Sequence, residues 1–111
     1  MNSLQTLQAI TEKINKDPRA RKDLQGWNTV FQFNIEEGAR YFLSIAEDGS
    51  ARVEEGEHPS AETKLSSKEE VMENILTGKL NAISAFMTGK LKVSGNIGKA
   101  QELVSVLDQL S

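Results

Sequence analysis

The chain has 111 residues, of which 38% are hydrophobic and 26% are charged, and this composition is typical of one globular domain over residues 1–111. It contains no cysteine, which excludes disulfides, thiolate metal sites and cysteine nucleophiles, and it fits a reducing, cytoplasmic compartment. The net charge of -3 comes without a basic stripe, so nucleic acid is not an expected partner.

The charge is distributed unevenly along the chain. Residues 1–26 carry a formal charge of +2, residues 27–67 carry -5, and residues 68–111 are balanced. We interpret the N-terminal basic cluster as the solvated end of a helix, with transient contact with an anionic membrane surface as the alternative. The first five residues lack a basic region followed by an apolar run, so we expect no signal peptide.

The N-terminal segment is predicted to be helical. Apolar residues recur there at intervals of three and four: Leu4, Leu7, Ile10 and Ile14. The helix should end before Asp17-Pro18, because proline disfavours helical geometry in the residue before it. Residues 19–24 then predict one short turn of helix that Gly26 closes.

The middle of the chain changes to a period of two. Apolar and polar residues alternate in three segments, whose apolar members are Phe31, Phe33 and Ile35, then Tyr41, Leu43 and Ile45, then Ala51 and Val53. The turn sequences Glu36-Glu37-Gly38 and Glu47-Asp48-Gly49 separate them, which predicts an antiparallel meander with one apolar face. Phe42 belongs to the opposite face, either as a lone surface aromatic or packed under a helix. Residues 63–66 are predicted to form a fourth strand.

The second half returns to helical spacing. Ser67 and Glu70 match a capping box, which predicts a helix start. The sequence Thr77-Gly78-Lys79-Leu80 recurs as Thr88-Gly89-Lys90-Leu91, and we interpret the two copies as helix stops that frame a short helix. Residues 90–93 then alternate as a strand, and a final amphipathic helix follows. This order predicts an α+β domain with helices gathered over one face of a sheet.

No constellation of reactive groups emerges from the sequence. His58 is the only histidine and lacks the partners that a catalytic base or a metal site needs, so we interpret it as a solvent-exposed loop residue. Gly95 and Gly98 fit a strand-to-helix turn, although an anionic head group at the start of the last helix, beside Lys99, stays open. We therefore predict no catalytic residue, no metal and no cofactor.

The apolar positions leave two interpretations open. Apolar stripes at helical spacing usually form a plain core, and the pattern alone favours that reading. However, five helical segments are more than one small sheet readily accommodates in two close-packed layers. If the last two helices arch over the sheet, they leave an apolar cavity.

Residues 20–110 resemble the sterol carrier protein family, type two, and residues 76–96 carry the most specific part of the match. That family shows a G-K/R-L turn, a helix, the motif F-x-x-G-K/R-L-K and a glycine turn before a closing helix. Gly78-Lys79-Leu80, Phe86-Met87-Thr88-Gly89-Lys90-Leu91-Lys92 and Gly95 match these features in order. Residues 30–35 also fit the family's V-F-x-F-x-I strand. The C-terminus, however, carries no Ser-Lys-Leu peroxisomal address.

The resemblance implies an α+β fold with a five-stranded, mainly antiparallel sheet, helices covering one face and an enclosed apolar tunnel. It implies non-catalytic carriage of a sterol, fatty acid, fatty acyl-CoA or phospholipid. The alternative is an accessory domain that presents a lipid-like substrate, such as a quinone precursor, to a partner enzyme.

The resemblance also implies which residues contact the lipid. The tunnel floor would comprise Phe31, Phe33, Tyr41, Leu43 and Ile45. One wall would comprise Ile75, Leu76, Leu80, Ile83, Phe86 and Met87. The closing helix, which we expect to act as the gate, would contribute Leu103, Val104 and Leu107.

Overall fold

A five-stranded mixed sheet with helices on one face forms the structure, a computed structural model that describes residues 2–110. The strands are β1 (Thr29–Ile35), β2 (Arg40–Ile45), β3 (Ala51–Glu55), β4 (Thr63–Ser67) and β5 (Leu91–Ser94). The helices are α1 (Ser3–Lys16), α2 (Pro18–Leu24), α3 (Glu69–Leu76), α4 (Ala82–Met87) and α5 (Ile97–Leu110). Within residues 2–110, none of the helices has the length and apolar character that crossing a membrane requires. The predicted α+β architecture is confirmed.

The strand order is β3-β2-β1-β4-β5. Three neighbouring pairs are antiparallel, whereas β1 and β4 run parallel, with Phe33 opposite Leu65. The parallel pair arises because the chain leaves β3 at one edge, crosses the sheet through residues 56–62 and enters β4 on the far side of β1. β5 then forms the second edge, next to the turn that leads into α5.

The crossing loop covers the face of the sheet that the helices leave open. The His58 ring meets the edge of Phe42, with ring centroids 5.1 Å apart and planes at 71°. Gln32 accepts a hydrogen bond from the His58 amide (2.8 Å) and donates one to the Gly56 carbonyl (3.0 Å). Phe42 is therefore covered by a loop and not by a helix. The expectation that His58 is solvent-exposed is wrong, because it packs half-buried against this aromatic ring.

Polar side chains fasten α1 to α3 above the β1–β2 half of the sheet. The Ser3 amide donates to Glu69 Oε2 (2.6 Å), and Thr6 Oγ1 donates to Glu73 Oε1 (2.6 Å). Tyr41, fully buried on β2, donates its hydroxyl proton to Ser3 Oγ (2.7 Å). Burial raises the pKa of Tyr41 well above its ordinary value, since the phenolate would lose its hydration.

The predicted capping box at the start of α3 is wrong. Ser67 is the last residue of β4, and the N-cap position belongs to Lys68, which makes no side-chain capping bond. The Glu69 amide instead donates to the Glu37 carboxylate (2.9 Å), which reaches it from the β1–β2 turn. Ser67 Oγ donates to the Lys68 carbonyl and does not cap the helix. The cap therefore comes from Glu37 in the turn between β1 and β2, and not from the local sequence.

The two glycine stops are confirmed, and they set the length of α4. Gly78 and Gly89 have φ values of +81° and +80°, a region that residues with a side chain rarely adopt. In each copy, the amide of the following lysine donates to the carbonyl five residues earlier, at 2.8 Å for Lys79 and 2.9 Å for Lys90. These bonds confine α4 to six residues between two tight turns.

Candidate functional site

An apolar cavity of about 200 Å³ opens between α4, α5 and the β4–β5 side of the sheet. The strands provide its floor through Leu65, Leu91 and Val93. The remaining lining residues are Ile75, Gly78, Leu80, Asn81, Ala82, Ile83, Phe86, Ile97, Ala100, Gln101, Val104 and Ser105. The cavity is open to the surface on one side, so it is a pocket with a mouth and not a sealed void.

Small side chains explain why space remains here. α4 turns Ala82 and Ala85 toward the protein interior, where they are 7% and 1% exposed, so its large residues lie nearer the mouth. α5 contributes Ala100, which is 3% exposed and lines the cavity. Because neither helix offers a long side chain at these positions, the gap between them and the strands is not filled.

A second, much smaller void lies deeper in the interior. Its volume is about 10 Å³, at the lower limit of what a single water molecule needs. Its lining comprises Phe33, Leu65, Met72, Ile75, Leu76, Leu91, Leu103, Val104 and Leu107. Four of these residues also line the cavity, so the void marks the direction in which the cavity would lengthen if α5 moved.

The structure separates the predicted lipid-contacting residues into three sets. Ile75, Leu80, Ile83, Phe86 and Val104 line the cavity. Phe33, Leu76, Leu103 and Leu107 line only the inner void. Phe31, Tyr41, Leu43, Ile45 and Met87 line neither of the two.

The last set divides again by burial. Phe31, Tyr41, Leu43 and Ile45 are at most 2% exposed and belong to the packed core. They do not floor a tunnel in this structure, because they are packed in one core with the apolar residues of α1 and α2. Met87 is 79% exposed on the outside of α4. Contact between a lipid and these five residues stays a prediction.

Sequence reasoning missed all three residues of the cavity floor and part of its rim. Leu91 and Val93 showed the alternation of a strand, but the pattern does not reveal that β5 lies beside β4 under the gap. Ala100 followed the apolar spacing of the last helix. Its small size among large neighbours was the available signal that the helix leaves a space there.

The cavity lining contains no titratable side chain among the described residues. Its polar members are Asn81, Gln101 and Ser105, and Asn81 is engaged because its Oδ1 accepts from the Ser84 amide (3.0 Å) to cap α4. Gln101 and Ser105 lie one helical turn apart on the exposed side of α5. The lining can hold a hydrocarbon chain and offer neutral hydrogen-bonding groups at its rim.

Other candidate chemistry is not gathered at the cavity. Within residues 2–110, no three histidine or acidic side chains cluster as metal ligands would. Lys99, considered as a partner for an anionic head group, lies 4.3 Å from the centre of the Trp27 ring and 3.5 Å from Glu102 Oε2. The Lys99 amide donates to Asn96 Oδ1 (2.9 Å), so this amide at the start of α5 is already satisfied.

Comparisons with known proteins agree on one family. The model of the SCP-2 sterol transfer family matches residues 7–108. The hydroxysteroid dehydrogenase-like protein 2 of Mus musculus is 33% identical over 105 residues, which span 91% of this chain but only 21% of that protein. A fatty acid-binding protein of Yarrowia lipolytica is 31% identical over 106 residues, covering 88% of this chain and 82% of that protein.

A solved structure supports the same conclusion for the fold. The ubiquinone synthesis protein UbiJ-SCP2 superimposes with a TM-score of 0.65 at 19% identity, covering 84% of this chain and 74% of that one. This likeness is one of fold alone. The match of the family model across nearly the whole domain is the stronger finding, and it shows that the chain belongs to the SCP-2 sterol transfer family.

Proposed function

We propose that this chain binds the hydrocarbon part of a lipid in the cavity between α4 and α5 and carries it non-covalently, without catalysing a reaction. The observation that carries the proposal is the cavity itself, whose lining is mainly apolar and contains no titratable side chain. The similarity to a fatty acid-binding protein of Yarrowia lipolytica supports a fatty acyl ligand. Because the chain has no cysteine, the proposal includes a reducing, cytoplasmic setting.

The cavity volume limits how much of a lipid this conformation can hold. An apolar cavity of about 150 Å³ accommodates benzene, so the cavity of about 200 Å³ has room for about eight carbon atoms. At about 0.8 kcal/mol for each buried methylene, eight carbons would contribute about 6 kcal/mol before ordering costs. A longer chain would need the inner void to open, which requires α5 to move away from β4.

The polar end of the ligand would lie at the rim. Gln101 and Ser105 are exposed at the mouth, and the structure gives their side chains no protein hydrogen-bond partner among the described residues. A carboxyl, hydroxyl or ester group held there would keep its own contact with water. This arrangement favours an amphiphile with one polar end over a wholly apolar guest.

Native mass spectrometry tests the proposal directly. The purified protein is expected to carry a small-molecule adduct that organic extraction identifies as a lipid, or to take up an added medium-chain fatty acid. Val104→Gln should lower fatty acid affinity because Val104 lines the cavity, whereas Val106→Gln on the same helix should not. Equal binding by both variants, or no uptake by the unmodified protein, would refute the proposal.

A second candidate function is that of an accessory domain that presents a lipid-like substrate to an enzyme. Two findings favour it: the match to one-fifth of a dehydrogenase-like protein, and the shared fold with a ubiquinone synthesis protein. Under this function, a partner enzyme should turn over a lipid-like substrate, such as a quinone precursor, faster when this chain is present. Affinity for fatty acid with no effect on any co-purifying enzyme would favour carriage alone.

A further inference from the structure

The exposed apolar side chains of this protein are concentrated around the cavity mouth. Among the side chains that the structure describes, the large exposed hydrophobic ones are Ile83 (54%), Phe86 (37%), Met87 (79%) and Ile97 (42%). Three belong to α4 and the fourth begins α5, and three of the four line the cavity. We call these four residues the mouth patch. Exposed apolar residues gathered at one place usually mark an interaction surface.

The segment of chain that contains the mouth patch carries charge of one sign. Residues 74–101 contain four lysines and no acidic residue, whereas the chain as a whole has a net charge of -3. Acidic residues lie just outside this segment, at Glu70, Glu73 and Glu102. The charge summed over residues 68–111 is therefore zero and does not reveal the positive segment. The segment that carries the mouth patch is therefore positively charged, although the protein as a whole is acidic.

Three of these lysines are not neutralised within the protein. Lys79, Lys90 and Lys92 form no ion pair with any carboxylate among the described residues, while Lys99 is bound to Glu102. Together with Lys68 they line a surface groove in which Glu36 and Glu70 are the acidic members, so lysines outnumber carboxylates four to two. Leu80 lines both this groove and the apolar cavity, so the two adjoin.

We propose that the mouth patch and its flanking lysines form a docking surface for an anionic phospholipid bilayer. The apolar side chains of α4 and the start of α5 enter the interfacial layer. Lys79 and Lys90, at the two ends of α4, contact lipid phosphates and carboxylates from their turns. Docked in this way, the cavity opens toward the hydrocarbon region, and a lipid chain can pass between bilayer and protein without crossing water.

Two features favour a bilayer over a protein partner. Lys79, Lys90 and Lys92 are long side chains without an ion-pair partner among the described residues, and they lie beside apolar residues. This arrangement suits the boundary between head groups and acyl chains. The mouth patch also surrounds an opening that a tightly bound protein would close. The inference rests on the proposed lipid carriage for its purpose, although docking can be measured on its own.

Vesicle flotation tests the docking surface. The full chain should bind vesicles of phosphatidylcholine with 30% phosphatidylserine more strongly than vesicles of phosphatidylcholine alone, and added salt should weaken the binding. The double variant Lys79→Gln/Lys90→Gln should lose about 25-fold in partitioning, since each lysine near an anionic surface contributes about fivefold. Met87→Ser should lose about tenfold, because a methionine side chain that enters the bilayer is exchanged for a polar one.

A matched control separates this surface from the N-terminal basic cluster. The variant Lys16→Gln/Lys22→Gln removes the same charge from exposed positions on α1 and α2 and should leave partitioning unchanged. Equal losses in both double variants would overturn the proposal, as would binding that does not depend on anionic lipid. Self-association that Met87→Ser abolishes, or capture of a protein partner without vesicle binding, would assign the mouth patch to that partner instead.

A second readout reports which residues enter the bilayer. The chain has no cysteine, so Met87→Cys gives a single site for an environment-sensitive dye, and Glu12→Cys on α1 provides the control. The dye at position 87 should shift to the blue with anionic vesicles, and the dye at position 12 should not. Fatty acid binding by the lysine double variant, measured without vesicles, distinguishes lipid carriage from membrane docking. If the variant still takes up fatty acid but no longer floats with vesicles, the substitutions have impaired docking and not carriage.

Discussion

Filling the cavity from α5 should lower lipid affinity while leaving the fold intact. Ala100 is 3% exposed and lines the cavity, so Ala100→Leu adds three carbon atoms to a space with room for about eight. If a ligand loses three buried methylenes at about 0.8 kcal/mol each, its binding weakens by about 2.4 kcal/mol, or about 60-fold. The new side chain replaces empty space, so the free energy of unfolding should be unchanged or raised.

The assay is isothermal titration with a medium-chain fatty acid, combined with urea unfolding of the same samples. The control is Ala9→Leu on α1, a partly buried position that does not line the cavity and that should bind fatty acid like the unmodified protein. A lower affinity together with undiminished stability identifies the cavity as the binding site. Unchanged affinity in a folded Ala100→Leu protein would refute this reasoning, because a ligand in the cavity could not avoid the added side chain.

Two further predictions concern stability. At Gly95 (φ +89°) an added Cβ would lie 1.9 Å from the Glu62 carbonyl oxygen, whereas at Gly26 (φ +82°) it would meet nothing within 4 Å. Gly26→Ala should therefore lower the free energy of unfolding, measured in urea, by about 1 kcal/mol through backbone strain. Gly95→Ala should lower it by about 1–3 kcal/mol more, and equal losses in the two variants would contradict the clash. Tyr41 is the only tyrosine, and since burial raises its pKa above the ordinary 10.0, its contribution to stability is complete below pH 10.0 and is lost as the pH rises further. Tyrosinate absorbance should then appear only as circular dichroism reports unfolding, and a midpoint near pH 10.0 in folded protein would show that the hydroxyl is not buried.

Local patterns predicted the helices and strands because each depends on nearby residues. The two glycine stops illustrate this, since a residue with positive φ and one amide-to-carbonyl bond suffice to end α3 and α4. The capping box at Ser67 failed for the opposite reason. Pairing with β1 extends β4 through Ser67, and Glu37 from a distant turn occupies the capping role.

The site was predicted less completely, since it depends on which half of the sheet each helix covers. The alternation in β1 and β2 correctly placed Phe31 and Leu43 on the inner face, but it cannot show that they join the apolar residues of α1 in one packed core. The alternation in β5 looks the same, yet Leu91 lies under a gap. The order of the strands, and the small side chains of α4 and α5, decide between core and cavity, and neither is visible in the period of a segment.

The same alternation of apolar and polar residues therefore forms a packed core in one half of the sheet and the floor of a cavity in the other. Above β1 and β2, Phe33 stacks on Tyr41 with ring centroids 5.2 Å apart, and the hydroxyl of Tyr41 bonds to the helix pair α1–α3. Above β4 and β5, a six-residue helix and Ala100 leave a cavity that no side-chain hydrogen bond between described residues crosses. Directional bonds hold the first half. The start of α5 is tied to β4 by a hydrogen bond from the Asn96 amide to Thr63 Oγ1 (3.3 Å), and apolar contacts hold the rest of the helix. We therefore expect the rest of α5 to move to admit a longer chain while the α1–α3 half stays folded.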